Sequence, residues 1–427
     1  NIVSDSNHWM FISSNGGLSA GRKDAQHALF PYYTDDKITE SADITGSKSI
    51  FHIKLGNDKH VWEPFSNRQD RLYKVSRNIY KNIYGNKVLF EEVNHDLGLT
   101  FRYQWNSSNK YGFIRKSNLV NNTSKNIHFT LLDGIQNIVP DGVTSDVQNS
   151  SSNLVDAYKR NELEESTGLG LFALSAIIVD KAEPSEALKA NIAWSTGLQN
   201  PTYLLSSLQL NKFRNGLDVE QEIDVKAEKG AYFVSAKLEL APQESTQWTI
   251  VADVHQTHSS IAECIHEIKN NKNLPQEIDE DIALGTTRLV ERNASSDGMQ
   301  LTADKLRDTR HFSNTLFNIM RGGIFDYNYQ IEKWDLTNYL QQVNKKIYQE
   351  NEAILASLPE QFSFFDLKKA VSEAGDKDFK RLCIEYMPLK FSRRHGDPSR
   401  PWNKFSINTR NEMDGSKILD YEGNWRD

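Results

Sequence analysis

The sequence has 427 residues, which exceeds the usual size of one hydrophobic core and favours more than one domain. Hydrophobic residues make up 38% and charged residues 25%, proportions that are typical of a globular protein. The net charge of −7 argues against a polyanionic partner, so we expect no nucleic acid. Since no apolar run reaches the length of a membrane helix, we also expect no membrane partner. We expect a cytoplasmic location, and a removed signal peptide is the alternative because the first residue is Asn1 and not Met.

The sequence gives no support for a metal or an organic cofactor. Cys264 and Cys383 lie far apart and lack metal-ligand spacing, so we expect two free thiols. His255 and His258 are close in sequence, but a third ligand and an HExxH pattern are missing. Glycine-rich loops of the kinds that hold nucleotide phosphates are missing as well. We therefore expect no cofactor.

The first part of the chain has the pattern of β-strands. Short runs alternate apolar and polar residues, as half-buried strands do, and Gly, Asn, Asp and Ser separate them. The runs are residues 49–55, 87–92, 99–105, 112–119, 127–132, 170–179, 190–194, 231–240 and 246–254. So many strands predict one large antiparallel β-sandwich over residues 1–258.

After residue 258 the apolar residues recur with the period of a helix. Residues 259–269 place an apolar set on one face: Ile261, Cys264, Ile265 and Ile268. Further helices are predicted at 279–294, 302–320, 335–358, 366–374 and 378–386, and Thr302 is the predicted N-cap of its helix. We assign residues 259–305 to a helical linker and residues 306–427 to a second, helical domain.

Two polar segments near the end of the chain contain the candidate binding residues. The first surrounds Trp402 with cations, and its candidates are Arg393, Arg394, His395, Asp397 and Arg400. Arginine forks suit phosphate or carboxylate, and arginine and aspartate suit vicinal sugar hydroxyls. A solvated loop or a domain-interface loop is the alternative for this segment. The second segment, Trp425-Arg426-Asp427, combines a stacking face, a fixed cation and a carboxylate, which are the groups that a sugar site needs.

Several segments together resemble the cellobiose-phosphorylase family and its large relatives. They are residues 14–22, 29–37, 111–115, 131–140, 310–314, 321–325 and 392–404. The resemblance implies a β-supersandwich, then linker helices and the first helices of an (α/α)6 barrel. It also implies carbohydrate metabolism: a glycosyltransferase of the phosphorylase type or a glycoside hydrolase that acts on oligosaccharides by an inverting mechanism.

The resemblance further implies roles for the last residues. The family binds its first sugar through an Arg-Asp pair early in the barrel, and Arg426-Asp427 is similar to that pair. In this alignment the general acid lies beyond residue 427, and the chain alone is inactive. In a second alignment Asp427 is the acid, since the family's acid follows Trp-Asn and residues 425–427 are similar to that context as well. Inorganic phosphate is the co-substrate if the enzyme is a phosphorylase, whereas a hydrolase uses water.

A non-catalytic role is the alternative function. The family's sandwich contributes to dimer contacts and to the rim of the active site. This chain is then a carbohydrate-binding, assembly or dimerisation module. In both interpretations we expect an oligosaccharide as the ligand, and the resemblance implies a homodimer.

Overall fold

The computed structural model describes residues 1–33, 35–56, 58–150, 152–176, 188–294, 298–319, 330–391, 411 and 413–416. The chain divides into two compact units, Asn1–Ser4 with His8–Gly285 and Asp5–Asn7 with Thr286–Asp427. Strands dominate the first unit and helices dominate the second, which confirms the predicted β-then-α layout. No helix of the described residues is both long enough and apolar enough to cross a membrane.

The strands of the first unit pair with antiparallel neighbours. In chain order they are β1 (His8–Ile12), β2 (Leu18–Arg22), β3 (Ala28–Phe30), β4 (Gly46–Leu55), β5 (Asp58–Trp62), β6 (Val75–Lys81), β7 (Val88–Asn94), β8 (Leu99–Ser108), β9 (Gly112–Asn121), β10 (Ile127–Ile138), β11 (Lys159–Glu164), β12 (Leu169–Leu174), β13 (Lys189–Thr196), β14 (Thr202–Leu204), β15 (Asp224–Lys226), β16 (Gly230–Leu240) and β17 (Ser245–Thr257). Within the described residues they form a three-stranded sheet β1-β2-β3, a five-stranded sheet β14-β16-β10-β4-β5 and a nine-stranded sheet β15-β11-β12-β13-β17-β9-β8-β7-β6.

One apolar core lies between the five-stranded and the nine-stranded sheets. Because side chains alternate along a strand, each sheet sends every second residue inward. Phe51 and Phe129 come from the five-stranded sheet, and Phe101 and Trp248 come from the nine-stranded sheet. The rings of Phe51 and Phe101 meet edge to face with centroids 5.1 Å apart. Burial of one such side chain stabilises the fold by roughly 1.5–3 kcal/mol.

A buried ionic cluster joins the same two sheets. Arg115 of β9 donates from Nη1 to Asp133 Oδ2 at 2.7 Å and from Nη2 to Asp133 Oδ1 at 2.9 Å. Both side chains are fully buried. Asp133 also accepts hydrogen bonds from Ser49, Ser117 and the indole nitrogen of Trp248. The carboxylate is therefore surrounded by donors, as a buried charge requires.

Two helices cover the outer face of the nine-stranded sheet. They are α5 (His258–Asn270) and α6 (Leu274–Ala294), and Thr257 and Ser260 form a capping box at the start of α5. The predicted apolar face of α5 packs with buried side chains of the sheet, among them Ile114 and Trp194. The shorter helices of this unit are α1 (Asp35–Glu40), α2 (Ser145–Ser150), α3 (Ser152–Tyr158) and α4 (Leu210–Arg214), with 3-10 turns at Ser41–Asp43 and Asn67–Gln69.

The second unit consists mainly of helices. Its elements are α7 (Lys305–Ile319), β18 (Gln330–Glu332), α8 (Lys333–Val343), α9 (Lys345–Glu350), α10 (Glu352–Ser357), β19 (Gln361–Ser363), α11 (Phe364–Ala374) and α12 (Lys377–Phe391). The hydroxyl of Tyr386 on α12 donates to Asp335 Oδ2 on α8 at 2.6 Å, and both side chains are buried. The bond links the two helices and gives each of these buried polar groups a hydrogen-bond partner.

Two helix predictions in the second unit are wrong in detail. Residues 335–358 do not form one long helix, because Asn344 ends α8 and its side chain caps α9, and Asn351 then separates α9 from α10. Asparagine side chains compete with the helical hydrogen bonds and favour such ends. Thr302 is not the cap of α7, since Asp304 accepts from the backbone N–H groups of Leu306 and Arg307.

We predict that Arg115→Leu destabilises the sandwich by about 3–5 kcal/mol, because it leaves the buried Asp133 carboxylate without its cation. The free energy of unfolding from urea titrations measures this cost. Arg160→Leu is the control, since Arg160 forms ion pairs with Glu162 and Asp224 that are all partly exposed. Exposed pairs contribute little, so this variant should stay close to the wild type. Equal losses in the two variants would contradict the assignment.

Candidate functional site

The binding residues predicted from the sequence lie outside the described residues. They are Arg393, Arg394, His395, Asp397, Arg400, Trp425, Arg426 and Asp427. Their grouping into a sugar site therefore stays a prediction. The described residues do bring together a different set of polar side chains in the first unit, and this set was not predicted.

These side chains line a cavity of about 430 Å³ that we call the sandwich cleft. Its walls come from the β1–β2 turn, the segment before β4, the β5–β6 connection and strands β6 and β7. The lining residues are Ser14, Asn15, Ala42, Asp43, Lys48, Phe65, Ser66, Asn67, Arg68, Arg77, Asn78, Ile79 and Phe90. The volume falls within the range of small-molecule sites.

Asp43 holds two cations at the cleft. Lys48 is buried, and its Nζ lies 2.6 Å from Asp43 Oδ1. Arg68 donates from Nη2 to Asp43 Oδ2 at 2.6 Å. Burial by itself would raise the pKa of Asp43, but the hydrogen bonds and charges of Lys48 and Arg68 lower that pKa below its ordinary value. Asp43 is thus a charged acceptor at neutral pH.

Glu63 is the second carboxylate that contacts the Lys48 ammonium. Its carboxylate accepts from Arg214 Nε at 2.8 Å and from Arg214 Nη2 at 2.9 Å, and it lies 3.4 Å from Lys48 Nζ. Burial opposes the charge, yet the bonds and charges of Arg214 and Lys48 lower the pKa of Glu63 below its ordinary value. Two carboxylates therefore keep the buried Lys48 ammonium in place.

Glu92 is a buried carboxylate like Glu63, and it orients two cleft residues. It accepts from the backbone N–H of Phe65 at 2.7 Å, from Arg77 Nε at 2.7 Å and from the indole of Trp62 at 2.8 Å. Phe65 has a positive φ of 62°, which is uncommon for a bulky side chain and costs about 1–2 kcal/mol. The bond from Glu92 helps to hold this strained backbone, so the Phe65 ring has a fixed place in the wall.

The β1–β2 turn closes one side of the cleft. Asn15 donates from Nδ2 to the carbonyl oxygen of Thr39 at 2.9 Å, and its Oδ1 accepts from the backbone N–H of Gly17. Gly16 has φ of +87°, and a Cβ there would lie 3.1 Å from the hydroxyl of Tyr103. Glycine at this position permits both the turn and the close approach of that ring.

The two carboxylates that hold Lys48 lack the raised pKa of a general acid. An acid that protonates a glycosidic oxygen needs a raised pKa. The pKa values of Asp43 and Glu63 are lowered instead, because cations engage both carboxylates. Arginine, lysine, asparagine and serine side chains then offer hydrogen-bond donors and acceptors around the rings of Phe65 and Phe90. Such a set suits a ligand with many hydroxyl groups.

A shallower groove of about 830 Å³ lies on the outer face of the five-stranded sheet. Its lining includes His128, Lys54, Lys237 and Glu239, whose side chains are exposed. A ligand that ordered these side chains would have to offset their loss of rotamer entropy. The sandwich cleft is better prepared, since the buried Glu63 and Glu92 and the exposed Asp43 already hold its cations.

Neither cysteine has the properties of a nucleophile. Cys264 and Cys383 are both free, and burial raises the pKa of each thiol to about 12. A thiol with such a pKa is protonated and inert at neutral pH. Among the residues that the structure describes, no three histidine, cysteine or acidic side chains are grouped to hold a metal ion.

One region of the second unit matches a known protein family. Residues 325–388 are similar to glycoside hydrolase family 149 insertion domain 1. The match covers a minor part of the chain, and it relates that part to a glycoside hydrolase family and not to the cellobiose-phosphorylase family in particular. No curated protein matches the sequence.

Solved structures with partial likeness include several enzymes that act on carbohydrates. A bacterial glucoamylase complexed with acarbose has a TM-score of 0.41 and 8% identity, over 75% of this chain and 39% of that one. A polysaccharide lyase has a TM-score of 0.38 and 12% identity, over 62% of this chain and 34% of that one. The family GH92 alpha-mannosidase from Bacteroides thetaiotaomicron has a TM-score of 0.34 and 12% identity, over 77% of this chain and 37% of that one. The chain thus spans about two fifths of these proteins or less, and TM-scores this low carry no argument about function.

The lowered pKa of Glu63 predicts a pH-dependent stability. A carboxylate with a depressed pKa stabilises the folded state above its ordinary pKa of 4.5, and this contribution is lost as the pH falls through the folded value. Glu63→Gln should therefore cost on the order of 2 kcal/mol at pH 7 and progressively less below pH 4.5. Urea titrations across this pH range test it. Glu220→Gln is the control, because Glu220 pairs with Lys212 at the surface. A cost that does not change with pH would refute the prediction.

Proposed function

We propose that the chain is the N-terminal portion of a carbohydrate-active enzyme that cleaves or phosphorolyses glycosidic bonds of oligosaccharides. The observation that carries this proposal is the similarity of residues 325–388 to an insertion domain of a glycoside hydrolase family. The order of a β-sandwich and then helices agrees with the layout that the resemblance implies. In the proposal residues 306–427 contain the start of an (α/α)6 barrel, and the helices between residues 325 and 388 belong to the insertion domain.

The proposed reaction is an inverting displacement. A carboxylic acid protonates the leaving oxygen, and a nucleophile attacks the opposite face of the sugar. Inorganic phosphate is that nucleophile in a phosphorylase, and water activated by a second carboxylate is that nucleophile in a hydrolase. In the proposed site Arg426 and Asp427 bind the first sugar beside Trp425, and the arginine-rich segment from Arg393 to Arg400 lies nearby. The general acid follows later in the full-length protein, with Asp427 as the second choice.

A carbohydrate-binding or assembly role is the second candidate for this chain. It is favoured by the sandwich cleft, where cations engage both Asp43 and Glu63 and lower their pKa values. A homodimer in the cytoplasm is part of the proposal in either case. The two functions are compatible, since a sandwich can bind a chain that a barrel cleaves.

We predict that Asp427→Asn in the full-length protein lowers kcat/KM for its best disaccharide by tenfold to a hundredfold. The loss of a charge-assisted hydrogen bond in a desolvated site costs roughly 1.5–3 kcal/mol, which corresponds to such a factor. Turnover of a panel of glucose disaccharides, with and without inorganic phosphate, measures the effect and separates phosphorolysis from hydrolysis. Asp58→Asn, at an exposed position of the β4–β5 hairpin, is the control.

Unchanged turnover at unchanged thermal stability would remove Asp427 from the site. A variant that loses only stability would point to a structural ion pair between Arg426 and Asp427. Absence of any glycoside cleavage by the wild-type protein, with or without phosphate, would contradict the proposed function itself.

A further inference from the structure

We propose that the sandwich cleft is a non-catalytic binding site for a neutral oligosaccharide, separate from the site that breaks the glycosidic bond. The location comes from the cleft itself. The choice of an oligosaccharide as the ligand rests on the proposed function. Binding of a glucan segment in the cleft does not depend on whether the full-length protein cleaves one.

Two exposed side chains at the cleft have hydrogen-bonding groups that remain available to a ligand. Arg68 donates from Nη2 to Asp43, and most of its other N–H groups are left for a ligand. The neighbouring Asn67 side chain makes no hydrogen bond to any residue that the structure describes, although it lines the cavity. The arginine fork and the amide together supply donors and an acceptor that can hydrogen-bond sugar hydroxyls.

One aromatic side chain, Phe65, forms part of the cleft wall. Its ring is partly exposed, and the buried ring of Phe90 meets it edge to face with centroids 6.2 Å apart. The backbone of Phe65 is fixed in its strained conformation by the bond from its N–H to Glu92. A rigid aromatic face buries the apolar C–H side of a sugar ring without a large loss of side-chain entropy.

The cleft is large enough for an oligosaccharide. It has about 430 Å³, and a second cavity of about 270 Å³ lies beside it and shares Ser66 and Arg77 with it. Small-molecule sites commonly fall between about 300 and 1,000 Å³.

The ion pairs of the cleft favour a neutral ligand over an anion. Each cleft cation already has a carboxylate partner: Lys48 and Arg68 with Asp43, Lys48 with Glu63, and Arg77 with Glu92. A free phosphate would bring further negative charge close to Asp43, which is itself charged. Sugar hydroxyls can use the remaining N–H groups without that repulsion.

The test is calorimetric titration of the 427-residue chain with neutral gluco-tetrasaccharides of β-1,4, β-1,3 and α-1,4 linkage, and separately with inorganic phosphate. We expect saturable binding of at least one tetrasaccharide. Arg68→Ala should weaken it at least tenfold, and Asn67→Ala a few-fold, in line with charged and neutral hydrogen bonds respectively. Both positions are exposed, so the variants should fold.

Arg160→Ala is the matched control, because this partly exposed and ion-paired arginine lies on β11, towards the opposite edge of the nine-stranded sheet from β6. It should bind as the wild type does. The proposal is overturned if no tetrasaccharide binds, if Arg68→Ala and Asn67→Ala bind as tightly as the control, or if phosphate binds through Arg68 while the sugars do not. None of these outcomes decides whether the full-length protein cleaves glycosides, which the turnover assay tests separately.

Discussion

The buried pair of Arg115 and Asp133 is the interaction on which the sandwich depends. One partner belongs to the nine-stranded sheet and the other to the five-stranded sheet, and both are fully buried. A charge in this position is tolerated only when its partner and its hydrogen bonds are in place, so the pair fixes how the two sheets face each other. Apolar packing alone, as between Phe51 and Phe101, would tolerate small shifts of one sheet over the other.

The same cluster reaches the sandwich cleft. Arg115 donates from Nε to Ser47 at 2.9 Å, and its guanidinium lies 4.8 Å from the ring centroid of Tyr103. Ser47, Ser49 and Tyr103 line a small cavity that shares Lys48 and Phe65 with the cleft. The buried cluster and the cleft are thus neighbours in the sandwich. At the cleft itself, Asp43, Glu63 and Glu92 hold cations in place before any ligand arrives.

The sequence predicted what depends on local periodicity. Strands such as β8 and the change to helices at Thr257 follow from alternation and helical period. Strand β6 was missed because it is an edge strand with nearly every side chain exposed, so it lacks a buried face. The cleft was missed because Lys48, Glu63 and Glu92 are far apart in sequence and lie in or directly after strands of two sheets, so they come close only when those sheets pack together. The left-handed backbone of Phe65 could not be predicted either, since a bulky residue seldom adopts it.

The sandwich thus contains a polar cleft whose cations are already held by carboxylates, and we propose that this cleft binds a sugar chain. A crystal structure of the 427-residue chain with its tightest-binding tetrasaccharide tests this claim most directly. The account predicts sugar rings in the cleft, hydroxyls within hydrogen-bonding distance of Arg68 and Asn67, and an unbroken Arg115–Asp133 pair. Sugar bound elsewhere on the sandwich, with only solvent in the cleft, would contradict it.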